Sequence, residues 1–363
     1  MPLATKQIFA AVAAAAMLAV SSLPARAQAG GLTGPPPFPG KWGRMSLLPE
    51  KSEEFTFGDV NGKLYLFGGL PVGNKPPLGL VQEYDPATDT WTKKKNMPLA
   101  THHAAIAAYG GKLYLFGGQT QLEPSGPTQI PIDNTWEYDP ANDSWKALAP
   151  MPTARTAAVA AEVGGKIYVL GGASVHPGQK IVSLGPTVPH RSLDVNEVYD
   201  PKTNKWETRM TMPTARNHAA AGVVNGKIYV IGGRVGSSVI TTSSNTNVVE
   251  VYDPSTDLWG AAGMRMPTSR SGMGWATYKG KIYIVGGQVY DREVFAVIRA
   301  VEAYDPATNS WTILPTMFTA RHGVNVAIIG DKLYAIGGHV QAAGTGGEAA
   351  NTDSNEVYEF PDK

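Results

Sequence analysis

Six glycine pairs, each placed directly behind a short apolar segment, divide this chain into units of about fifty residues. Five of the units continue with the same two signals, an aromatic-acid-proline turn such as the one that begins at Tyr84 and then a tryptophan such as Trp91. A recurrence of this kind over nearly the whole chain indicates one large repetitive domain. The pairs are Gly68-Gly69, Gly117-Gly118, Gly171-Gly172, Gly232-Gly233, Gly286-Gly287 and Gly337-Gly338.

Each unit contains the signals of four antiparallel strands. In the unit that spans residues 217–267, an alternating apolar segment is followed by a tight turn at Gly226 and a second apolar segment. A third strand is predicted to end at Tyr252, and a fourth begins near Trp259 after a turn. Four strands in every unit is the composition of a propeller blade.

The double glycine, the spaced tyrosine and tryptophan, and a closing Met-Pro dipeptide together resemble the kelch repeat. The resemblance extends over residues 40–363 and implies an all-β fold, a six-bladed kelch β-propeller. The last unit lacks its own tryptophan strand, whereas Trp42 has the tryptophan-to-proline spacing of the complete units. We therefore predict that the N-terminal strand completes the last blade and closes the ring. The dipeptides are Met97-Pro98, Met151-Pro152, Met212-Pro213 and Met266-Pro267.

Residues 1–27 have the pattern of a secretory signal. Lys6 precedes an apolar run, and an Ala-Arg-Ala sequence that ends at Ala27 supplies small residues for cleavage. The run is shorter than the roughly 20 residues that span a bilayer, so we expect export to the periplasm or the cell exterior and no membrane span in the mature chain; an uncleaved anchor is the alternative. Residues 28–39 are predicted to be a Pro/Gly-rich linker before the propeller at 40–363.

Unusual residues gather on one side of the predicted ring. In an up-and-down blade, the link between the second and third strands emerges beside the start of the inner strand, and these links hold most of the variation in unit length. The long links cover residues 119–134, 173–195, 234–247, 288–299 and 339–354. The histidines fall on the same side: His102, His103, His218 and His322 at inner-strand starts, and His176, His190 and His339 in the links. This loop-rich face is therefore predicted to bind a ligand, with His103, His218, His322 and His339 as candidate contacts.

Four arginines recur sixteen residues before a glycine pair, at Arg155, Arg216, Arg270 and Arg321. Ser52 and Thr101 occupy the equivalent positions in the first two units, and Glu53 and Glu54 follow Ser52. Symmetry predicts a cationic rim at the channel mouth with one acidic sector, to which Arg234 adds a donor. Guanidinium groups bind carboxylates in a bidentate geometry, so such a rim suits a small acidic or sugar ligand. The alternative is a structural role, in which the arginines tie together the carbonyls of neighbouring blades.

No cofactor and no metal site are predicted. The absence of cysteine excludes disulfides, thiolate ligands and the tyrosine-cysteine cofactor of the kelch copper-radical oxidases. Imidazoles on one face would suit zinc, copper or iron, but strand neighbours such as His102 and His103 are expected to point to opposite faces. Nucleic-acid binding requires a clustered basic face, which a net charge of +1 with 17% charged residues does not suggest, so nucleic acid is not an expected partner.

Two functions remain open at this stage. The first is a secreted, monomeric binding module that holds a protein, peptide or glycan on the loop-rich face. The second is an epimerase or mutarotase that acts on a carboxylated sugar, because the predicted size and address resemble those of the exported bacterial sialic-acid mutarotases. That resemblance implies that Glu53 or Glu54 moves a proton while arginines hold the substrate carboxylate.

Overall fold

Each repeat unit folds into one four-stranded antiparallel sheet, called a blade below, because tight turns separate short strands. In the first blade, the second and third strands are almost fully buried, whereas the fourth is largely exposed. From first to fourth strand, the blades are Thr56–Val60, Lys63–Phe67, Val81–Asp85 and Thr90–Lys94 (blade 1); Ala105–Tyr109, Lys112–Phe116, Thr135–Asp139 and Ser144–Leu148 (blade 2); Val159–Val163, Lys166–Leu170, Asn196–Asp200 and Lys205–Thr208 (blade 3); Ala220–Val224, Lys227–Ile231, Val249–Asp253 and Leu258–Trp259 (blade 4); Gly274–Tyr278, Lys281–Val285, Val301–Asp305 and Ser310–Leu314 (blade 5); and Asn325–Ile329, Lys332–Ile336, Asn355–Glu359 and Lys41–Arg44 (blade 6).

This computed structural model describes residues 40–71, 77–121, 129–176, 191–236, 244–290, 294–342 and 350–361. They belong to one unit of the chain, Phe38–Lys363. The predicted signal at 1–27, the predicted linker at 28–39 and His190 lie outside the described residues. No segment within the described ranges forms an apolar helix of membrane-crossing length.

The first strands of the blades form the inner wall of a closed ring. Each of them contacts the first strand of the next blade, and Asn325–Ile329 of blade 6 contacts Thr56–Val60 of blade 1. The described residues form strands and no helix. The prediction of an all-β, six-bladed propeller is therefore confirmed.

The ring is closed by the N-terminal strand, as predicted. Lys41–Arg44 pairs antiparallel with Asn355–Glu359, with Trp42 opposite Tyr358. The two rings lie 5.4 Å apart, and the indole Nε1 of Trp42 donates to Pro315 O of blade 5 at 2.8 Å. One short strand thus completes blade 6 and also attaches it to blade 5.

The glycine pairs lie where one blade meets the next. Gly171 and Gly172 have φ values of 65° and 106°, and Gly172 N–H donates to Arg216 O of the following blade at 2.9 Å. A Cβ atom on Gly171 would lie 2.5 Å from the same carbonyl oxygen. Only glycine therefore allows the two backbones to approach this closely.

A second contact between blades uses a tyrosine, an aspartate or asparagine, and a tryptophan. In blade 1, Tyr84 donates to Asp89 Oδ1 at 2.6 Å, and the same oxygen accepts Ser46 N–H at 2.8 Å. Trp91 Nε1 donates to Ser46 O at 3.0 Å. We call this arrangement the interblade clamp. Asp143, Asn204, Asp257 and Asn309 occupy the position of Asp89 in blades 2 to 5, and all five have positive φ.

The clamp predicts an acid-dependent loss of stability. Burial raises the pKa of the Asp89 carboxyl, but hydrogen bonds from Tyr84 and Ser46 outweigh burial, so that the pKa lies below its ordinary value. The pKa of Asp257 is lowered in the same way. A lowered folded-state pKa stabilises the protein above the unfolded-state value of about 3.9, and this contribution is lost as the pH falls through the folded-state value.

We therefore expect the free energy of unfolding of the unmodified protein to fall more steeply below about pH 4 than that of the Asp89→Asn/Asp257→Asn variant. The variant keeps the neutral clamp found at Asn204 and Asn309. Urea unfolding at a series of pH values measures the difference. Parallel stability curves for the two proteins would show that these carboxylates carry no such contribution.

Candidate functional site at the channel mouth

The inner strands enclose an axial channel of about 390 Å³. Small residues such as Ala107, Ala160 and Gly274 line much of its wall. A Cβ atom on Gly274 would meet Val326 of the next blade. Small side chains thus relieve crowding at the axis and also keep the channel open.

Where the channel opens on the loop-rich face, every blade contributes one residue with left-handed backbone geometry. These six residues, called the collar below, have φ values between 50° and 60°. Collar N–H groups donate to the collar carbonyl of the preceding blade at 2.7 to 3.2 Å in blades 2 to 6. The collar consists of Glu54, His103, Ala157, His218, Gly272 and Gly323. Its backbone is therefore regular, whereas its side chains differ from blade to blade.

The three large side chains of the collar meet in one cluster. Glu54 Oε2 lies 3.2 Å from His103 Nε2, and the rings of His103 and His218 contact edge to face with centroids 5.0 Å apart. One ligand-type atom from each of the three residues lies within 4.8 Å of the others. His322, the residue before the collar in blade 6, places its Nε2 3.8 Å from Glu54 Oε1. A carboxylate and three imidazoles thus occupy the mouth.

Burial keeps two of these imidazoles neutral near pH 7. Burial, assisted by the positive charge of Arg234, lowers the pKa of His103 to about 3. Burial also lowers the pKa of His322 to about 4, although Glu54 partly opposes this shift. Neutral imidazoles present a ring nitrogen lone pair, so the cluster offers hydrogen-bond acceptors and metal ligands more than a cationic surface.

The expectation that His102 and His103 point apart is wrong. It assumed regular strand geometry, but His103 has a φ of 57°, which turns its side chain out of the alternation. The two rings lie 4.7 Å apart, and their Nδ1 atoms are in hydrogen-bond contact. The sequence argument against convergent histidines therefore does not apply at the collar.

The remaining candidates lie at different distances from the cluster. His339 pairs with His322 in an isolated bridge, and their rings lie 5.3 Å apart. Arg234 is buried, and its charge acts on both His103 and His322. The backbone of Glu53 pairs with that of Leu70, whereas its side chain lies outside the description. Glu54 is therefore the predicted acidic residue that the structure brings to the site.

The predicted cationic rim is wrong for the four recurrent arginines. All four side chains are fully buried, and each forms an ion pair with a glutamate of its own blade. Arg216 Nη2 lies 2.6 Å from Glu250 Oε2 and also donates to Val230 O at 3.2 Å. The four pairs are Arg155-Glu197, Arg216-Glu250, Arg270-Glu302 and Arg321-Glu356. These arginines face the blade interior, where a ligand in the channel does not reach them.

The repeat units of this chain are similar to those of known proteins. Residues 46–211 and 150–338 match the family model described as the KLHDC2/KLHL20/DRC7 Kelch-repeats domain. The chain belongs to this kelch-repeat family. A kelch relative is Kelch-like protein terF of Aspergillus terreus, which is 29% identical over 327 residues, or 85% of this chain and 67% of that protein.

Two further comparisons define the extent of the likeness. Kelch-like protein 23 of Homo sapiens is 27% identical over 282 residues, which are 78% of this kelch chain but 44% of that protein. The solved structure of YjhT matches with a TM-score of 0.69 over 86% of this chain and 95% of that chain. At 17% identity, this match shows a shared fold alone. The kelch ring thus corresponds to under half the length of the human relative.

In each blade of this kelch propeller, the arginine and the glutamate of the buried ion pair are either both present or both replaced. Blades 1 and 2 have Ser52 and Thr101 in place of the arginine, and they also lack the glutamate, since Gln82 and Trp136 stand at its position. Burial lowers the pKa of Arg216 to about 10, although Glu250 opposes the shift. Joint loss of both partners is expected for a buried pair, because a single remaining charge would be uncompensated. This paired pattern was the sequence signal for a structural role.

The pairs predict a non-additive effect on stability. We expect Arg216→Ser to lower the free energy of unfolding by about 3–5 kcal/mol, since it leaves Glu250 buried without its cation. The double variant Arg216→Ser/Glu250→Gln, which reproduces the Ser52 and Gln82 combination of blade 1, is expected to recover at least half of that loss. Urea unfolding of the wild type, both single variants and the double variant forms a complete cycle. Additive losses would contradict the coupling.

Proposed function

We propose that this kelch propeller is a binding module that recognises an extended segment of a partner protein on its loop-rich face. Kelch propellers typically bind proteins. The observation that carries the proposal is the difference between the two ends of the ring. One end has short turns, whereas the other combines the links between second and third strands with the polar channel mouth.

Several described links are themselves ordered as two-stranded ribbons. Gln119–Gln121 pairs with Gln129–Pro131 in blade 2, and Gln288–Tyr290 pairs with Phe295–Val297 in blade 5. Links of different length on a rigid ring are well suited to recognition, because the scaffold fixes their positions while their sequences vary. The ribbons therefore provide a shaped rim around the channel mouth.

An apolar contact surface is present on the same face. Val294 and Phe295 are 46% and 41% exposed, respectively, at the blade 5 ribbon. Exposed aromatic and aliphatic residues beside polar groups are typical of protein-binding surfaces.

The epimerase or mutarotase alternative has weaker support. It required several arginines to hold a substrate carboxylate beside an acidic residue, but Arg155, Arg216, Arg270 and Arg321 are occupied by their own glutamates. Glu54 and His103 still offer a proton-transfer pair at 3.2 Å. Because the four arginines expected to hold a substrate carboxylate are engaged elsewhere, the site supports a binding function better than catalysis on a carboxylated sugar.

A displayed library of random peptides selected on the intact chain tests the proposal. We expect enriched peptides to bind the wild type and to lose at least about tenfold in affinity, or roughly 1.4 kcal/mol, on Phe295→Glu. Ile313→Glu is the matched control, since Ile313 is 59% exposed on the fourth strand of the same blade. Calorimetry with the synthetic peptides gives the affinities. No enrichment, or equal binding by both variants, would refute recognition at this surface.

We also propose that the chain is exported and that its first 27 residues are removed. The support is the charged, apolar and small-residue order of this segment. Expression of the full chain in a secreting bacterial host is expected to yield a product that begins at Gln28 in the exported fraction. Leucine at Ala25 and Ala27 is expected to prevent cleavage. Intact-mass measurement of a full-length wild-type chain in the cytosolic fraction alone would reject the proposal.

A further inference from the structure

The collar brings together the side-chain types that bind transition metals, at positions far apart in the sequence. Glu54, His103 and His218 come from blades 1, 2 and 4, and their ligand-type atoms all lie within 4.8 Å of one another. Ala157 of blade 3 separates the two histidines with a methyl side chain, which allows their rings to meet. The cluster therefore depends on small collar residues between large ones.

We propose that Glu54, His103 and His218 form a binding site for a divalent first-row transition metal, for which zinc is the ion to test. Two imidazoles and one carboxylate are a ligand set suited to zinc and to iron(II). Bonds of about 2.0–2.2 Å place two ligand atoms of one ion roughly 3 to 4 Å apart. The observed spacing reaches this range through small rotations of the side chains.

Hydrogen bonds behind the histidines select the ring nitrogens that face the cluster. His218 Nδ1 lies 2.5 Å from Asn217 Oδ1, and an amide oxygen only accepts, so Nδ1 donates and Nε2 carries the lone pair. The Nδ1 of His103 contacts His102, while its Nε2 faces Glu54. A fixed tautomer and ring orientation are what outer partners of metal-bound histidines provide.

Glycine occupies the two collar positions of the opposite half, in blades 5 and 6. A Cβ atom on Gly323 would lie 3.3 Å from Glu54 Oε1, and one on Gly272 would lie 3.5 Å from His322 Cδ2. Glycine at both positions leaves space for the His322 ring, whose Nε2 lies 3.8 Å from Glu54 Oε1. Three protein ligands leave one position of a four-coordinate zinc ion for His322 or for an external ligand.

The proposal does not depend on partner binding, so its test uses zinc alone. The intact, untagged chain is stripped with a chelator, dialysed and titrated with Zn²⁺ by calorimetry, and Co²⁺ absorption reports the ligand environment. We expect one ion per chain. Glu54→Gln and His218→Gln are each expected to weaken binding by at least about 100-fold, and Asn217→Ala by about tenfold through lost orientation of His218.

His176→Gln is the matched control, because His176 is a buried histidine outside the collar. It is expected to bind zinc as tightly as the wild type. Melting curves without metal show which variants are folded, and either ligand variant alone decides the outcome if the other does not fold. A wild type that takes up less than half an equivalent of zinc, folded ligand variants that bind as the wild type does, or an equal loss in His176→Gln would overturn the proposal.

Discussion

Pairing between the two ends of the propeller is the constraint on which the rest of the structure depends. Lys41–Arg44 completes blade 6, and the segment that follows it provides Ser46. The N–H of Ser46 donates to Asp89 of blade 1, and its carbonyl oxygen accepts the Trp91 indole N–H. Closure also brings blade 1 against blade 6, so that Glu54 lies beside His322. The acidic part of the channel mouth therefore exists only because the ring is closed.

The ring was predictable from the sequence because its contacts repeat. Five of the six glycine pairs meet the same close approach of a carbonyl from the next blade, and the clamps of blades 1 to 5 use the same tyrosine-to-tryptophan spacing. A recurrent interaction thus leaves a recurrent pattern in the chain. The N-terminal closure was predictable for the same reason, since Trp42 supplied the one missing copy of the repeated strand.

The site was less predictable than the ring. The placement of the arginines and the orientation of His103 depend on contacts and backbone geometry that residue spacing does not give. Symmetry alone predicts the arginines at the rim. The joint replacement of arginine and glutamate in blades 1 and 2, however, indicates buried ion pairs. His103 also has left-handed backbone geometry. The alternation of side chains along a regular strand therefore does not predict the orientation of its ring. Sequence spacing gives the level of a residue along the channel, but backbone handedness decides where its side chain points.

At the collar position, the backbone is the same in every blade, whereas the side chain differs from blade to blade. The collar backbone is left-handed in all six blades, and hydrogen bonds between successive collar residues join blade 1 through to blade 6. The collar side chains are not needed for these backbone hydrogen bonds, and the residues range from glycine to glutamate. Left-handed geometry is costly for residues other than glycine, yet Glu54, His103 and His218 adopt it where Gly272 and Gly323 show that glycine fits. A repeated position that accepts glycine but holds a carboxylate and two imidazoles on left-handed backbone is the pattern expected of the metal site proposed above.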